Sequence, residues 1–145
     1  MTNDTITKTV FFTAKRDVVW SFLTDKDKLA TWFHGPGADL ADGEDYTVVK
    51  AVEDGTMQKI MWGTVLVFEP VSLLKYTFFI APSKDITSTV TWTLKEIEGG
   101  TKLTMHHEGL GALEEGALEL LTHLDIGWDR HLGQLRTLVG ELQPA

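Results

Sequence analysis

The sequence predicts an α+β fold in which a curved antiparallel sheet of six to seven strands surrounds a long C-terminal helix, with two short helices after the first strand. Three observations predict it. A β-branched segment opens the chain, the middle region alternates apolar runs with turn residues, and the last segment repeats its leucines every three or four residues. Strands that follow one another, with helices at either end of the run, are typical of an α+β protein.

The first strand is predicted over residues 5–13, where TITKTVFFT combines β-branched and aromatic residues. A short amphipathic helix follows, with Thr13 as its expected N-cap. Residues 24–27 resemble a capping box with Asp in place of Glu, and they predict a second helix that ends before the Gly-Pro-Gly sequence at 35–37. The apolar residues of these two helices are Val18, Val19, Phe22, Leu23, Leu29, Trp32 and Phe33.

Five further strands are predicted between Tyr46 and Glu108. Apolar runs rich in β-branched residues are separated there by short turn signals, and such short connections join antiparallel neighbours. We therefore expect these strands to follow one another in hairpin order. The turn signals are Asp54-Gly55, Pro70, Pro82-Ser83 and Gly99-Gly100.

A long C-terminal helix is predicted from Glu114 to Leu142, a span of about 40 Å at 1.5 Å per residue. Its apolar face consists of Leu121, Leu124, Trp128, Leu132, Leu135, Val139 and Leu142. Four glycines interrupt the helix, and each costs about 1 kcal/mol against Ala in a helix interior. They suggest a close approach to the sheet, although a kink near Gly127 is equally compatible; the glycines are Gly116, Gly127, Gly133 and Gly140.

Length and composition exclude several classes of function. A chain of 145 residues with 43% hydrophobic residues predicts a single domain, 1–145, with a sizeable core. The formal net charge of −8 disfavours nucleic acid and anionic membranes as partners. The absence of cysteine excludes disulfides, thiolate nucleophiles and cysteine-ligated metals. Because no signal peptide or long apolar run is evident, we expect a cytoplasmic location without membrane insertion.

Short sequence fragments along nearly the whole chain resemble the START-like SRPBCC superfamily. Within it the likeness is to AHSA-type domains, which are homologous to the activator of the 90-kDa heat-shock-protein ATPase. The matching fragments are Val18-Val19-Trp20, the segment from Leu29 to Phe33, and the segments 63–70, 74–78, 90–94 and 100–109, followed by Gly127-Trp128 with Leu132 and Leu135. Each fragment is short, but their order matches the predicted elements.

The resemblance implies a helix-grip fold of the START and Bet v-like kind, with an elongated cavity between the sheet and the C-terminal helix. It also implies a class whose members bind lipids, polyketides, hormones or other hydrophobic molecules, while a few act as cyclases or co-chaperones. Lys15-Arg16 departs from the family, which often has Pro there. The eukaryotic co-chaperone has an additional N-terminal domain absent from this sequence, so its activating role is not carried over.

The predicted binding residues face the cavity if the more apolar face of each strand points toward the helix. Such a lining suits a flat or elongated apolar ligand with one or two polar groups. Most of these residues also fit a role in the core alone. The set is Trp32, Phe33, Tyr46, Val48, Val65, Val67, Tyr76, Phe78, Val90, Trp92, Leu94, Leu103, Met105, His107, Leu121, Leu124, Trp128 and Leu135.

Catalysis has one candidate pair, His107 with Tyr76, as the acid and base of a cyclase or hydrolase. A core or surface histidine is the more common role for a residue in this position. No metal site is predicted, because His106 and His107 point to opposite faces of a strand and His123 and His131 lie about two helical turns apart. The acidic residues Asp39, Asp42, Glu44 and Asp45 lack the EF-hand spacing and predict a solvated loop.

The leading hypothesis is therefore a binding protein for a small hydrophobic molecule, with no cofactor. The loops 34–38 and 109–113 contain glycines and are expected to gate the cavity. The alternatives are an enzyme using His107 and Tyr76, and a protein-interaction module with a chaperone partner that uses the acidic outer face. The chain is expected to be a monomer or a homodimer.

Overall fold

The computed structural model describes residues 5–33, 39–51, 55, 57–80, 83–109 and 117–142. Its elements confirm the predicted α+β fold, with six strands and three helices. In chain order they are β1 (Ile6–Phe12), α1 (Arg16–Thr24), α2 (Lys26–Trp32), β2 (Asp45–Ala51), β3 (Met57–Glu69), β4 (Leu73–Ile80), β5 (Ser83–Ile97), β6 (Gly100–Glu108) and α3 (Ala117–Leu142).

The six strands form one curved antiparallel sheet in the order β1-β6-β5-β4-β3-β2. Only β1 leaves the hairpin order, because the first strand pairs with the last. The register aligns inward-facing residues across the sheet, and β6 shows strict alternation of buried and less buried positions. One such row crosses five strands and consists of Val65, Tyr76, Val90, His107 and Ile6.

An irregularity in β3 reverses the inward alternation that the sequence predicts. The register with β4 shifts between Val65 and Val67, so that Phe68 lies opposite the buried Leu74. Phe68 packs against the core and its ring meets the buried Trp20 edge-on at 5.3 Å. The prediction that Val67 faces inward is therefore wrong, because a bulge moves every later side chain of the strand to the other face.

The helix caps differ from the predicted ones by one or two residues. The N-cap of α1 is Lys15, which makes no side-chain capping bond, so Thr13 is not the cap. The N-cap of α2 is Asp25, whose carboxylate accepts hydrogen bonds from the backbone N–H groups of Asp27 and Lys28. Thr24 instead ends α1, and its hydroxyl donates to the carbonyl of Trp20 at 3.1 Å. The predicted capping box is therefore wrong in its first residue.

The C-terminal helix is continuous through Gly127, without a break. A Cβ atom added at Gly127 or Gly133 would meet no atom within 4 Å, so these glycines do not serve the close approach to the sheet that the sequence suggested. The buried face of α3 is formed by Trp128, Leu132, Leu135 and Val139, with Leu124 partly buried. Gly116 and the side chains of Leu121 and Leu142 lie outside the described residues.

Polar contacts attach α3 to one end of the sheet and to α2. Lys8 on β1 forms ion pairs with Asp125 at 2.5 Å and with Asp129 at 2.9 Å, one helical turn apart. Burial alone would lower the pKa of Lys8, but the hydrogen bonds to both carboxylates outweigh it and raise the pKa. His131 bonds through Nδ1 to the carbonyl of Trp32 at 2.9 Å, and because a carbonyl only accepts, Nδ1 carries the proton.

Candidate functional site

Seven aromatic side chains form a connected group on the concave side of the sheet, named here the aromatic cluster. They come from the end of α2, from β2, β4 and β5, and from α3. Phe33 stacks on Trp128 with ring centroids 5.2 Å apart, and Trp92 meets Trp128 edge-on at 5.6 Å. Tyr46 and Tyr76 meet edge-on at 5.3 Å. The members are Trp32, Phe33, Tyr46, Tyr76, Phe78, Trp92 and Trp128.

The structure buries most of the predicted binding residues, which agrees with both a binding and a core role. The buried ones are Trp32, Val65, Tyr76, Phe78, Val90, Trp92, Leu94, Leu103, Met105, His107, Trp128 and Leu135. Three are partly buried against them, namely Phe33, Tyr46 and Leu124. The side chains of Val48 and Leu121 lie outside the described residues. Contact of these residues with a ligand stays a prediction.

His107 lies fully buried in a hydrogen-bonded chain that joins β4, β5, β6 and α3. The Ser88 hydroxyl donates to the carbonyl of Phe78 at 2.6 Å, so its oxygen accepts from Nε2–H of His107 at 2.8 Å. Trp128 Nε1–H donates to His107 Nδ1 at 3.1 Å. These partners define a neutral imidazole with its proton on Nε2. We name these three side chains, Ser88, His107 and Trp128, the histidine network.

The histidine network leaves neither ring nitrogen of His107 available to a reactant. Nδ1, the basic nitrogen, already accepts from Trp128, and Nε2 already donates to Ser88. Burial lowers the pKa of His107 to about 4, because the charged imidazolium would be desolvated there. A general base needs a free lone pair within reach of its substrate. The geometry therefore favours a structural role for His107 over the predicted catalytic one.

The two tyrosines of the aromatic cluster differ in their hydrogen bonds. The Tyr46 hydroxyl donates to the carbonyl of Thr77 at 2.8 Å. The Tyr76 hydroxyl accepts from Trp92 Nε1–H at 2.9 Å. Burial raises the pKa of Tyr76, with the Trp92 bond acting in the opposite sense, and it raises the pKa of Tyr46 together with the proximity of Tyr76. Both side chains thus keep their protons at neutral pH and can act as donors.

Gly63 permits the tight packing around Tyr46. Tyr46 lies opposite Gly63 in the register, and a Cβ atom at Gly63 would come within 1.9 Å of the Thr77 carbonyl oxygen. The Thr77 hydroxyl accepts from the backbone N–H of Thr64 at 2.8 Å, in place of a regular ladder bond. A glycine inside a strand is a signal for such a close backbone approach. Because Gly63 lies within a predicted strand, the sequence alone could have indicated a close backbone approach at this position.

Sequence reasoning missed Ser88 of the histidine network and Phe68, which packs against the core. Ser88 alternates in step with Val90 and Trp92, so the sequence could have predicted that its side chain faces inward. Nothing nearby in the chain indicates that it bonds to His107. Phe68 was missed because no local pattern announces the irregularity in β3.

The other histidines lie apart from His107. His106 faces the opposite side of β6 and its Nδ1 lies 3.1 Å from the Thr7 hydroxyl, as the strand alternation predicts. His131 contacts Phe33 edge-on at 5.0 Å, and desolvation lowers its pKa against the opposing effect of the Trp32 carbonyl. In the described ranges, no three histidine or acidic side chains come together in a way that could hold a metal ion.

Three clefts lined by described residues lie on the surface, and none of them is lined by a member of the aromatic cluster. One of them, about 650 Å³, is bounded by the start of α1, the turn before β4 and the β5–β6 turn; its residues include Lys15, Arg16, Val71 and Glu96. Both predicted gating loops, 34–38 and 109–113, fall outside the described residues, apart from Gly109. Among the helices that the structure describes, none is long and apolar enough to cross a membrane.

Comparisons with known proteins agree with this fold. The fold is similar to MLL2253 from Mesorhizobium loti (23% identity, TM-score 0.78, covering 94% of this chain and 97% of that one) and to CV1439 from Chromobacterium violaceum (23%, 0.77, 94% and 96%). It is also similar to CalU16 from Micromonospora echinospora (25%, 0.74, 97% and 76%). No curated protein has a matching sequence. The family described as Activator of Hsp90 ATPase homolog 1-like protein matches residues 13–140, and the chain therefore belongs to that family.

Proposed function

We propose that the protein binds a small, flat, apolar molecule against the aromatic cluster, on the concave side of the sheet. The observation that carries the proposal is that two rings of the cluster, Phe33 and Tyr46, stay partly exposed while their neighbours are buried. Stacked and edge-on aromatic rings provide contact area for a planar ligand at low cost in conformational entropy. Membership in a fold family that commonly binds ligands supports the proposal.

The position of α3 also supports this proposal. The backbone of the helix runs close to β1, α1 and α2. Toward β4 and β5 the described contacts of α3 are made by large rings: the Trp128 ring is centred 6.2 Å from that of Phe78 and 5.6 Å from that of Trp92. A ligand that displaced or extended this ring contact would bury apolar surface, which is worth about 25 cal/mol per Å² before ordering costs.

The experiment is a calorimetric titration with 2-isopropenylnaphthalene, a flat hydrocarbon probe. We expect Phe33→Ala to weaken binding about tenfold, because a partly exposed ring that contacts the ligand contributes on the order of 1.4 kcal/mol. Phe11→Ala is the matched control, since Phe11 is 57% exposed on the opposite face of the sheet.

Equal affinities of the two variants would contradict the proposed site. The absence of binding to the unaltered protein, by this probe and by a panel of apolar molecules, would contradict the proposed function. An apolar molecule found by native mass spectrometry in the freshly purified protein would support it.

A further inference from the structure

The hydroxyl proton of Tyr76 has no acceptor among the residues that the structure describes. The oxygen of this hydroxyl accepts from Trp92, which uses a lone pair and leaves the proton to be donated elsewhere. Tyr76 is only 5% exposed, so bulk water does not substitute freely. A buried donor left without a partner costs about 1–3 kcal/mol, and each such group in a native protein needs an explanation.

Three acceptors in the described part of the site each accept a hydrogen bond from a residue other than Tyr76. The Thr77 carbonyl accepts from Tyr46, and the Phe78 carbonyl accepts from Ser88. Nδ1 of His107 accepts from Trp128. Phe78 lies two residues further along the same face of β4, and it is buried although it has no hydroxyl. Packing on this face of the strand therefore does not require the hydroxyl of Tyr76.

The charges around the site restrict what the acceptor can be. Lys8, the cation on the inner face of β1, is already held by Asp125 and Asp129. His107 is neutral, with its pKa lowered by burial. An anionic group beside Tyr76 would be desolvated without an opposing charge from these residues, which is costly, whereas a neutral carbonyl needs only one hydrogen bond.

We propose that the Tyr76 hydroxyl donates a hydrogen bond to a neutral carbonyl oxygen of the bound ligand, so that the ligand class is a flat aromatic ketone, ester or amide. This inference rests on the proposed function, because it concerns the same site. The aromatic cluster holds the ring system of the ligand, and Tyr76 orients it by its oxygen. Trp92 strengthens the donor, since a hydroxyl that accepts one hydrogen bond polarises toward donating another.

The experiment compares two probes of almost equal shape, 2-acetylnaphthalene and 2-isopropenylnaphthalene, which differ by a carbonyl oxygen in place of a methylene group. Affinities of both are measured by calorimetry for the unaltered protein and for Tyr76→Phe. We expect the ratio of ketone to hydrocarbon affinity to fall about 3- to 10-fold in the variant, the effect of one neutral hydrogen bond. Any general destabilisation by the substitution affects both probes and cancels in this ratio. Tyr46→Phe should change the affinity for both probes alike.

The outcomes separate the inference from the proposed function. If both probes bind and the ratio changes less than twofold in Tyr76→Phe, the inference is wrong and the proposed function stands. If neither these probes nor the panel of apolar molecules bind the unaltered protein, both are wrong. If Tyr76→Phe does not fold, the infrared carbonyl stretch of bound 2-acetylnaphthalene decides, because a hydrogen bond lowers its frequency below the value in an alkane. An unshifted frequency overturns the inference.

Discussion

Two parts of the concave face contain similar residues but differ in how their polar side chains are paired by hydrogen bonds and ion pairs. In the helix-bound half, formed by β1, β6 and α3 together with Ser88 of β5, two polar groups are paired: Lys8 with Asp125 and Asp129, and His107 with Ser88 and Trp128. In the tyrosine half, formed by β2, β3 and β4, large rings make the contact with the helix and the Tyr76 proton has no described acceptor.

The difference separates residues that hold the fold from residues that are available to a ligand. A buried polar network with every proton assigned stabilises one structure and has nothing left to offer a ligand. A buried donor with one bond unmade lowers stability and becomes useful only when a ligand supplies the acceptor. By this criterion His107, the more conspicuous candidate in the sequence, belongs to the fold, and Tyr76 is the residue that we propose contacts the ligand.

The largest effect is expected in the helix-bound half, from Trp128→Ala. This change removes a ring that is 2% exposed and the donor to His107, and we expect the free energy of unfolding to fall by about 3–5 kcal/mol. Urea unfolding measures it. Ile126→Ala, at a 53% exposed position of the same helix, should change it by about 0.5 kcal/mol or less. Similar losses in the two variants would show that the network does not anchor α3.

In the tyrosine half, Gly63→Ala should destabilise the protein by about 3 kcal/mol, because its Cβ would lie 1.9 Å from a backbone oxygen that cannot move alone. Gly133→Ala is the matched control: its Cβ meets nothing within 4 Å, and the helix should gain about 1 kcal/mol. Thermal or urea unfolding of both variants checks the opposite signs. A neutral result for Gly63→Ala would mean that the close approach of β3 and β4 is dispensable.

Acid should destabilise the helix-bound half through His107. The folded pKa is about 4 and the ordinary value is 6.5, so between these pH values the unfolded chain binds the extra proton. Stability from this group is full above about pH 6.5 and is lost as the pH falls to about 4, a total of about 3 kcal/mol. His107→Gln should flatten the dependence measured by urea unfolding between pH 7 and 5. An unchanged slope would contradict the neutral, buried imidazole.

Ser88→Ala tests the other end of the histidine network, with an expected loss of about 1–3 kcal/mol. The change removes the acceptor of the buried Nε2–H of His107 and leaves that donor unmatched. Urea unfolding measures the loss. Adding His107→Phe to Ser88→Ala should then cost less than the sum of the two single changes, because the unmatched group is gone. Strict additivity would argue against the bond.

The smallest effect is expected from Tyr46→Phe in the tyrosine half, about 1 kcal/mol. The Thr77 carbonyl loses its donor, but it is only partly buried and water can compensate in part. The measurement is the shift of the urea midpoint. A loss as large as that of Trp128→Ala would mean that the hydrogen bonds of the tyrosine half contribute as much to stability as those of the helix-bound half. The contrast between the two halves would then be wrong.

Much of the fold could be predicted from the sequence because it follows from short-range periodicity. The change from alternating residues to a three-to-four repeat predicts the strands and the long helix, and the buried face of α3 is the predicted one at Trp128, Leu132, Leu135 and Val139. Most inward positions of β4, β5 and β6 follow in the same way. The family resemblance agrees with this reading over most of the chain.

The tertiary structure decided what periodicity cannot express. The irregularity that turns Phe68 inward in place of Val67 depends on pairing with β4, and Gly127 and Gly133 prove free of close contacts only once the helix is placed. The position of the proton on His107, and the bond that leaves the Tyr76 proton without an acceptor among the described residues, depend on partners 16 to 21 residues away in the chain. Periodicity encodes which face a side chain takes, whereas hydrogen-bond partners and protonation depend on distances across the whole fold.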